Sequence, residues 1–218
     1  MKSIKKLLAL TLACAAAASL AACGSSAPKQ TASSGASGDA SAAGTDAGKT
    51  YLIATDTTFA PFEFQNESGE FVGIDMDLLK AIAEDQRFSY EIQVLGFDAA
   101  VQSLQAGQSD AVIAGMSITP ERQDTFDFSE PYFDSGVVMG IKAGNEEIKS
   151  YEDLRGKNVA VKTGTEGSAF AESIKAEYGF TTTYFKDSSN MYEDVISGNS
   201  AACFEDYPVL GYAVSQDI

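Results

Sequence analysis

From residue 50 onward, short apolar runs alternate along the chain with segments of helical periodicity. Runs of four to eight apolar, often β-branched residues bounded by polar or glycine positions are typical of buried β-strands. On this basis we predict strands at residues 51–55, 90–95, 110–115, 135–141, 158–162, 182–185 and 201–204.

The segments between these runs show the spacing of amphipathic helices. In residues 75–84, Met76, Leu79 and Ile82 recur three positions apart, with Leu78 and Ala83 beside them, which predicts one apolar helical face. By the same reasoning we predict helices at residues 98–105, 165–178, 189–197 and 207–215, and a helical turn at 151–154.

The order of these elements indicates the fold class. Alternating strands and helices form parallel sheets that are covered on both faces. We therefore predict an α/β protein with two doubly wound lobes, residues 50–137 and 145–218, joined by a hinge crossing at 138–144.

Polar and aromatic residues collect at the predicted carboxyl ends of the strands, where open α/β sheets bind ligands. The first series contributes Asp56, Phe59, Phe97, Gly115, Ser117 and Arg122, and the second contributes Thr163, Gly164, Thr165, Asp187, Glu205 and Asp206. An arginine, hydroxyls, carboxylates and two aromatic rings in one cleft suit a zwitterion that carries a side chain.

The first 49 residues have the composition of an export signal followed by a tether. Lys2, Lys5 and Lys6 precede a short apolar run at residues 7–18, which predicts a signal peptide over 1–23. Cys23 lies in LAACG, which resembles a bacterial lipobox and predicts lipidation; the alternative is an ordinary secretory peptide with a chance cysteine. Residues 24–49 contain no large apolar side chain, which favours a flexible tether.

Charge and residue types exclude several classes of function. The formal net charge is −16, which argues against nucleic acid as a partner. The chain has no histidine, so imidazole metal ligands and Ser-His-Asp triads are excluded, and we find no cofactor motif. Cys203 has no partner for an intrachain disulfide in the folded part, and we expect it to be a core residue.

Six motifs match a known family in order and spacing. They are ATDTTFAPFEF (54–64), GIDMDLLKAIA (73–83), AGMSITPER (114–122), FDFSEPY (126–132), VAVKTGTEGS (159–168) and AACFEDYP (201–208). From residue 50 to its end the chain resembles the solute-binding proteins of amino-acid ABC importers. The resemblance implies a periplasmic-binding-protein-like fold, a monomer that closes on a free amino acid, and delivery to an ABC permease from a lipid-anchored position outside the cell membrane. It also implies further chain after the helix at 207–215, so that the lobes are incomplete at the C-terminal end.

The resemblance also assigns the two charged ends of the ligand. It implies that Arg122 clamps the α-carboxylate, with Ser117 and Thr165 as further donors, and that Asp206 and the carbonyl of Gly115 bind the α-ammonium group. Other roles for these residues are open from the sequence: Arg122 as a surface ion-pair residue, and Asp206 as a helix N-cap before Pro208.

The remaining matched residues would contact the ligand side chain. Phe59 and Phe97 would flank it, and Asp56, Lys162 and Glu205 would meet its polar end. Alternatively, the two phenylalanines are plain core residues, and Lys162 and Glu205 are solvated. The carboxylates favour a polar ligand, glutamine first, with arginine, lysine and cystine open.

Two other classes of function share this fold. An exported dehydratase would use Glu205 or Asp206 as an acid or base, and a sensor domain would signal rather than feed a permease. Because the sequence contains no histidine, metal cluster or cofactor motif, we expect a binding protein and not an enzyme.

Overall fold

The computed structural model describes residues 48–216. The predicted signal peptide (1–23), the lipidation site at Cys23 and nearly all of the predicted tether lie outside the described residues. No helix within residues 48–216 combines the length and the apolar character needed to cross a membrane.

Ten strands and six helices alternate along the described chain. The strands are β1 (Thr50–Thr55), β2 (Thr58–Phe59), β3 (Glu63–Gln65), β4 (Phe71–Val72), β5 (Ser89–Val94), β6 (Ala111–Val112), β7 (Val137–Gly140), β8 (Asn158–Lys162), β9 (Thr181–Phe185) and β10 (Ala202–Asp206). The helices are α1 (Ile74–Gln86), α2 (Phe97–Gln105), α3 (Pro120–Gln123), α4 (Glu166–Tyr178), α5 (Ser188–Ser197) and α6 (Tyr207–Ser215), with a short 3-10 helix at Tyr151–Leu154.

The larger strands form two sheets, one in each lobe. The first sheet is fully parallel with the order β5-β1-β6, so that Ile53 of β1 lies between Ile92 and Ala111. The second has the order β7-β10-β8-β9. Its last three strands are parallel, but β7 runs antiparallel to β10. The prediction of an α/β, periplasmic-binding-protein-like fold is confirmed, while the prediction of purely parallel sheets is wrong for β7.

The predicted hinge crossing at 138–144 stays a prediction. Its first three residues lie in β7, where they pair with β10 of the second sheet. A strand that enters a sheet from a crossing segment, without a helix before it, is free to run antiparallel to its neighbour.

A small antiparallel sheet, β2-β3-β4, was not predicted from the sequence. Its strands are only two or three residues long, too short to show the period-two alternation that identifies a strand. The sheet places Phe59 and Glu63 directly opposite each other beside the start of α1.

Two local predictions in the first lobe are wrong. The strand predicted at 110–115 is limited to Ala111–Val112, because the chain then turns through Gly115, whose φ of 53° is not a strand conformation. In α1 the buried residues are Asp75, Leu79 and Ala83, whereas Ile82 is 43 % exposed. The helix is therefore rotated relative to its apolar stripe, so that the polar Asp75 lies inside.

The core of the second lobe is built around Phe204 in β10. It packs in one cluster with Leu154, Val159 and Val161, all of which are inaccessible to solvent. Helix α4 covers this sheet at very short range, because Gly167 has no side chain to hold it away. A Cβ added at Gly167 would lie 2.5 Å from the backbone oxygen of Phe204.

Gly167→Ala should therefore lower the free energy of unfolding by about 1–3 kcal/mol, since an added methyl group overpacks the contact between α4 and β10. Gly211→Ala is the matched control, because a Cβ at that position in α6 meets no atom within 4 Å. In a helix this control should be neutral or stabilise by up to about 1 kcal/mol. Urea unfolding of both variants checks the prediction, and equal effects would contradict it.

Candidate functional site

The predicted site residues lie at strand ends and helix starts that face each other between the two sheets. Asp56 follows β1, Phe59 ends β2, Phe97 begins α2, Gly115 and Ser117 follow β6, Arg122 lies in α3, Lys162 ends β8, Thr165 precedes α4, and Glu205 and Asp206 end β10. Contacts made by these ten residues connect the carboxyl ends of the two sheets, and the region between these ends is the candidate cleft.

An ion pair joins the two lobes at the base of the cleft. Lys162 Nζ of the second lobe binds Asp56 Oδ2 of the first, and the side chains are only 1 % and 2 % exposed. The same ammonium group lies 4.8 Å from the centre of the Phe59 ring. Lys162 is therefore not the solvated strand-end lysine that the sequence left open. Phe59 also packs with Phe62 and Val209, so it serves both the cleft and an apolar cluster.

Glu205 is the second buried carboxylate near Lys162. Its Oε2 accepts hydrogen bonds from the hydroxyls of Ser188 at 3.1 Å and Tyr192 at 3.3 Å, and its Oε1 accepts from the backbone amide of Asp206. Ser188 Oγ also lies 3.4 Å from Lys162 Nζ. Burial raises the pKa of Glu205. The alternative of a solvated Glu205 is wrong, since the residue is 1 % exposed.

Sequence reasoning missed Ser188 as a site residue. Its hydroxyl connects Lys162 to Glu205, and its backbone amide donates across the cleft to Thr58 Oγ1 at 3.2 Å. Ser188 begins α5 directly after Asp187, which caps that helix by accepting from the amide of Asn190. The position of Ser188 after a predicted strand was the signal in the sequence, but serine at a helix start is too common to single out.

Arg122 projects from the first lobe toward the second. Thr119 caps the short α3 helix by accepting from the Arg122 amide, which fixes where the side chain begins. Nη1 donates to the carbonyl of Ser117 at 2.8 Å, and Nη2 donates to the carbonyl of Gly164 at 2.9 Å. The guanidinium also lies 5.6 Å from the centre of the Phe97 ring. Burial lowers the pKa of Arg122, and nearby carboxylates oppose this shift.

Asp206 lies in the second lobe within electrostatic range of Arg122. Burial raises its pKa to about 7, the charges of Glu205 and Glu166 add to the increase, and Arg122 and Lys162 oppose it. Asp206 occupies the N-cap position of α6, but its side chain accepts no capping hydrogen bond from the described helix. The N-cap role left open by the sequence is therefore not the one it has.

Thr165 is the N-cap of α4, and its hydroxyl is used within its own loop. It donates to the carbonyl of Lys162 at 2.8 Å and accepts from the amide of Ser168 at 3.3 Å. These bonds fix the start of α4 beside the Gly164 carbonyl that Arg122 contacts. The role of Thr165 as a donor to a ligand stays a prediction.

A buried carboxylate supports the first-lobe wall of the cleft behind Gly115. Asp75 Oδ2 accepts from the amide of Gly115 at 2.7 Å, and Oδ1 accepts from the hydroxyl of Tyr132 at 2.8 Å. A Cβ at Gly115 would lie 2.7 Å from the Phe59 ring, so only glycine allows this close approach. From the sequence, Asp75 was predicted only to begin a helix, and its role in supporting the site was missed. An acidic residue on the buried face of that helix was the feature that could have indicated it.

Glu63 lies behind Asp75 and is completely buried. Neither of its carboxyl oxygens has a hydrogen-bond partner within the described part of the chain. Burial raises the pKa of Glu63 well above its usual value, and the charges of Asp75 and Asp56 raise it further, with Lys162 acting in the opposite direction. A neutral, protonated Glu63 is the form that this environment favours.

The fold and the cleft define a two-lobed solute-binding protein. A profile of the bacterial extracellular solute-binding proteins, family 3, matches residues 51–202, and the chain belongs to this family. It is 32 % identical over 216 residues to the arginine-binding extracellular protein ArtP of Bacillus subtilis, covering 98 % of this chain and 78 % of that protein. It is 36 % identical over 216 residues to a probable histidine-binding protein of Neisseria gonorrhoeae, covering 99 % of this chain and 76 % of that one.

Solved structures with the same fold include an ancestral arginine-binding protein that is 39 % identical to this chain. Its arginine-bound structure superposes with a TM-score of 0.73, and its glutamine-bound structure with a TM-score of 0.71. Each superposition covers 77 % of this chain and 74 % of that one.

Glu63→Gln should make the stability of the protein less dependent on pH. Because the folded-state pKa of Glu63 is raised, its contribution to stability is present at low pH and is lost as the pH rises through that pKa. Glutamine stays neutral, so the variant should unfold a few degrees above wild type at about pH 8 and close to it at about pH 5. Thermal unfolding across this range tests the expectation.

Glu67→Gln is the control for this experiment, because Glu67 is exposed in the loop between β3 and β4. It should follow the wild-type pH dependence. If the unfolding temperatures of wild type and Glu63→Gln changed with pH in parallel, Glu63 would be ionised in the folded protein and the expectation would be wrong.

Proposed function

We propose that this protein binds a free α-amino acid with a polar side chain in the cleft and delivers it to an ABC importer. The observation that carries the proposal is the placement of Arg122 and Asp206 on opposite lobes within electrostatic range of each other. A cation on one side and a carboxylate on the other complement the two charged groups that every α-amino acid shares.

The charges of the cleft support this arrangement. A guanidinium group binds a carboxylate bidentately, which an ammonium group does not. Burial, and after it the charges of Glu205 and Glu166, raise the pKa of Asp206 and so disfavour its ionised form. The α-ammonium group of a ligand would supply a positive charge, so binding and ionisation of Asp206 favour each other.

Glutamine fits the contacts expected for the ligand side chain. Asp56 and Glu205 offer carboxylate oxygens that accept from an amide N–H, and Lys162 donates to an amide oxygen. Lys162 already supplies one buried positive charge to this region, where it pairs with Asp56. A neutral amide adds no second positive charge beside Lys162, whereas a cationic side chain has to be balanced by the surrounding carboxylates.

Arginine is the second candidate ligand. The support for it is the similarity to proteins described as arginine-binding, one of which was solved with either arginine or glutamine. Asp56 and Glu205 both lie near the single positive charge of Lys162. If the pKa of Glu205 falls on binding, Glu205 is ionised and its carboxylate can pair with the guanidinium group of the ligand.

The mechanism proposed for capture is lobe closure. Contacts that run from one lobe to the other, such as Ser188 to Thr58 and Arg122 to Gly164, would hold the closed form around the ligand. The ABC permease, the lipid anchor at Cys23 and a location at the outer face of the cell membrane belong to the same proposal. They rest on the family resemblance and on the LAACG motif alone.

Binding of the twenty amino acids, cystine and ornithine to the purified protein, measured by thermal shift and then calorimetry, tests the proposal. A ligand at a hundred times its dissociation constant should add about 2.7 kcal/mol to stability.

Arg122→Lys keeps the positive charge but loses the planar, bidentate guanidinium group, and should weaken binding of the amino acid about 10- to 100-fold. Arg155→Lys is the control, since Arg155 is exposed and contacts the carbonyl of Glu177 instead of the cleft.

The outcomes separate the candidate functions. Stronger binding of glutamine than of arginine supports the first choice of ligand, and the reverse order supports the second. Binding of no amino acid by a folded protein would refute the proposal. Turnover of a cyclohexadienyl acid would instead establish the dehydratase, so the same samples should be checked for product.

Affinity should increase with pH because protons compete with the ligand at Asp206. The ligand favours ionised Asp206, whose pKa is about 7 without ligand. The dissociation constant should therefore fall from about pH 5.5 to about pH 8, by up to about tenfold per pH unit below that pKa. The stability of the free protein changes in the other direction. Because the pKa of Asp206 is raised in the folded state, its contribution to stability is lost as the pH rises through that pKa.

Asp206→Asn should remove most of this pH dependence and weaken binding at about pH 8 by about 10- to 100-fold. Asp85→Asn, which replaces an exposed carboxylate near the end of α1, should leave the affinity and its pH dependence unchanged. Calorimetric titrations at several pH values provide the measurement. A steep pH dependence that persists in Asp206→Asn would assign it to another group.

A further inference from the structure

Glu166 is a charged residue of the cleft that the sequence did not single out. It is the first residue of α4, directly after the N-cap Thr165. Its Oε1 lies 3.4 Å from Nη2 of Arg122, and the two side chains are 30 % and 15 % exposed. Arg122 belongs to the first lobe and Glu166 to the second, so this ion pair connects the two lobes.

The ion pair uses a part of Arg122 that a ligand carboxylate needs. Nη1 donates to the Ser117 carbonyl, while Nη2 both donates to the Gly164 carbonyl and faces Glu166. A bidentate carboxylate requires two parallel N–H groups of the guanidinium. Arg122 thus already faces a carboxylate that comes from the protein itself.

We propose that Glu166 is a built-in competitor for the ligand α-carboxylate, which must displace it from Arg122. This inference rests on the proposed function of the cleft. Two carboxylates at one guanidinium repel each other, so the Glu166 side chain has to leave Arg122 when the ligand binds. Glu166 therefore lowers affinity and sets how tightly the protein holds its ligand.

The position of Glu166 makes the displacement possible. Its side chain is partly exposed, so the carboxylate can turn toward solvent without being buried unpaired. A carboxylate in the first turn of a helix also interacts favourably with the helix dipole after it has left Arg122. Of the carboxylates near Arg122, Glu166 stabilises the charged guanidinium most, ahead of Asp206 and Glu121.

Glu166→Gln tests the proposal, with Glu121→Gln as the control. Both substitutions remove one negative charge close to Arg122, but only Glu166 has an ion pair with it among the described residues. Titrated calorimetrically with L-glutamine and with L-arginine, Glu166→Gln should bind about 2- to 10-fold more tightly than wild type. Glu121→Gln should change affinity less than about twofold.

Thermal unfolding distinguishes competition from a structural role. If Glu166 holds Arg122 only in the free protein, Glu166→Gln should lower the unfolding temperature of the free protein and hardly affect the saturated complex. A structural role would lower both equally. Unchanged or weaker binding by Glu166→Gln, or equal tightening in Glu121→Gln, would overturn the assignment.

The same titrations separate this inference from the proposed function. If wild type binds neither probe nor any other α-amino acid, the proposed function fails, and the role of Glu166 fails with it. If wild type binds and Glu166→Gln binds no more tightly, only the role of Glu166 is refuted.

Discussion

The burial of Lys162 is the constraint on which the arrangement of the two lobes depends. It is the one lysine or arginine that is buried within residues 48–216, and an ammonium group removed from water needs a charged partner. The partner is Asp56, which follows β1 of the other lobe. Satisfying this one charge therefore requires the carboxyl ends of the two sheets to face each other, and it closes the base of the cleft.

The cleft holds more negative than positive charge, and this imbalance links its parts. Asp56, Glu205 and Asp206 are all buried around Lys162, with Arg122 on the opposite wall. Burial raises the pKa values of both Glu205 and Asp206, and the charges of Glu205 and Glu166 add to the increase at Asp206. Under the proposed function, this surplus of negative charge complements the ammonium group of the ligand, and the guanidinium group of Arg122 complements its carboxylate.

Much of the fold followed from the sequence because its longer elements have clear periodicity. The predicted strand at 158–162 and the helix at 207–215 agree with the structure at both ends, and most other long elements agree within two residues. The failures have a common physical basis. The strands β2, β3 and β4 are too short to show a period, and the segment after Val112 turns for tertiary reasons, since Asp75 binds the amide of Gly115.

The sequence by itself determined which residue types stand at the strand ends and in what order, because strand and helix periods are local properties of the chain. It therefore identified the candidate cleft residues and the family. Only the tertiary structure decided how they pair: Lys162 with Asp56, 106 positions away, Ser188 between Lys162 and Glu205, and Glu166 on Arg122. Pairing and pKa depend on distance and burial in space, and neither is encoded in the local pattern of a segment.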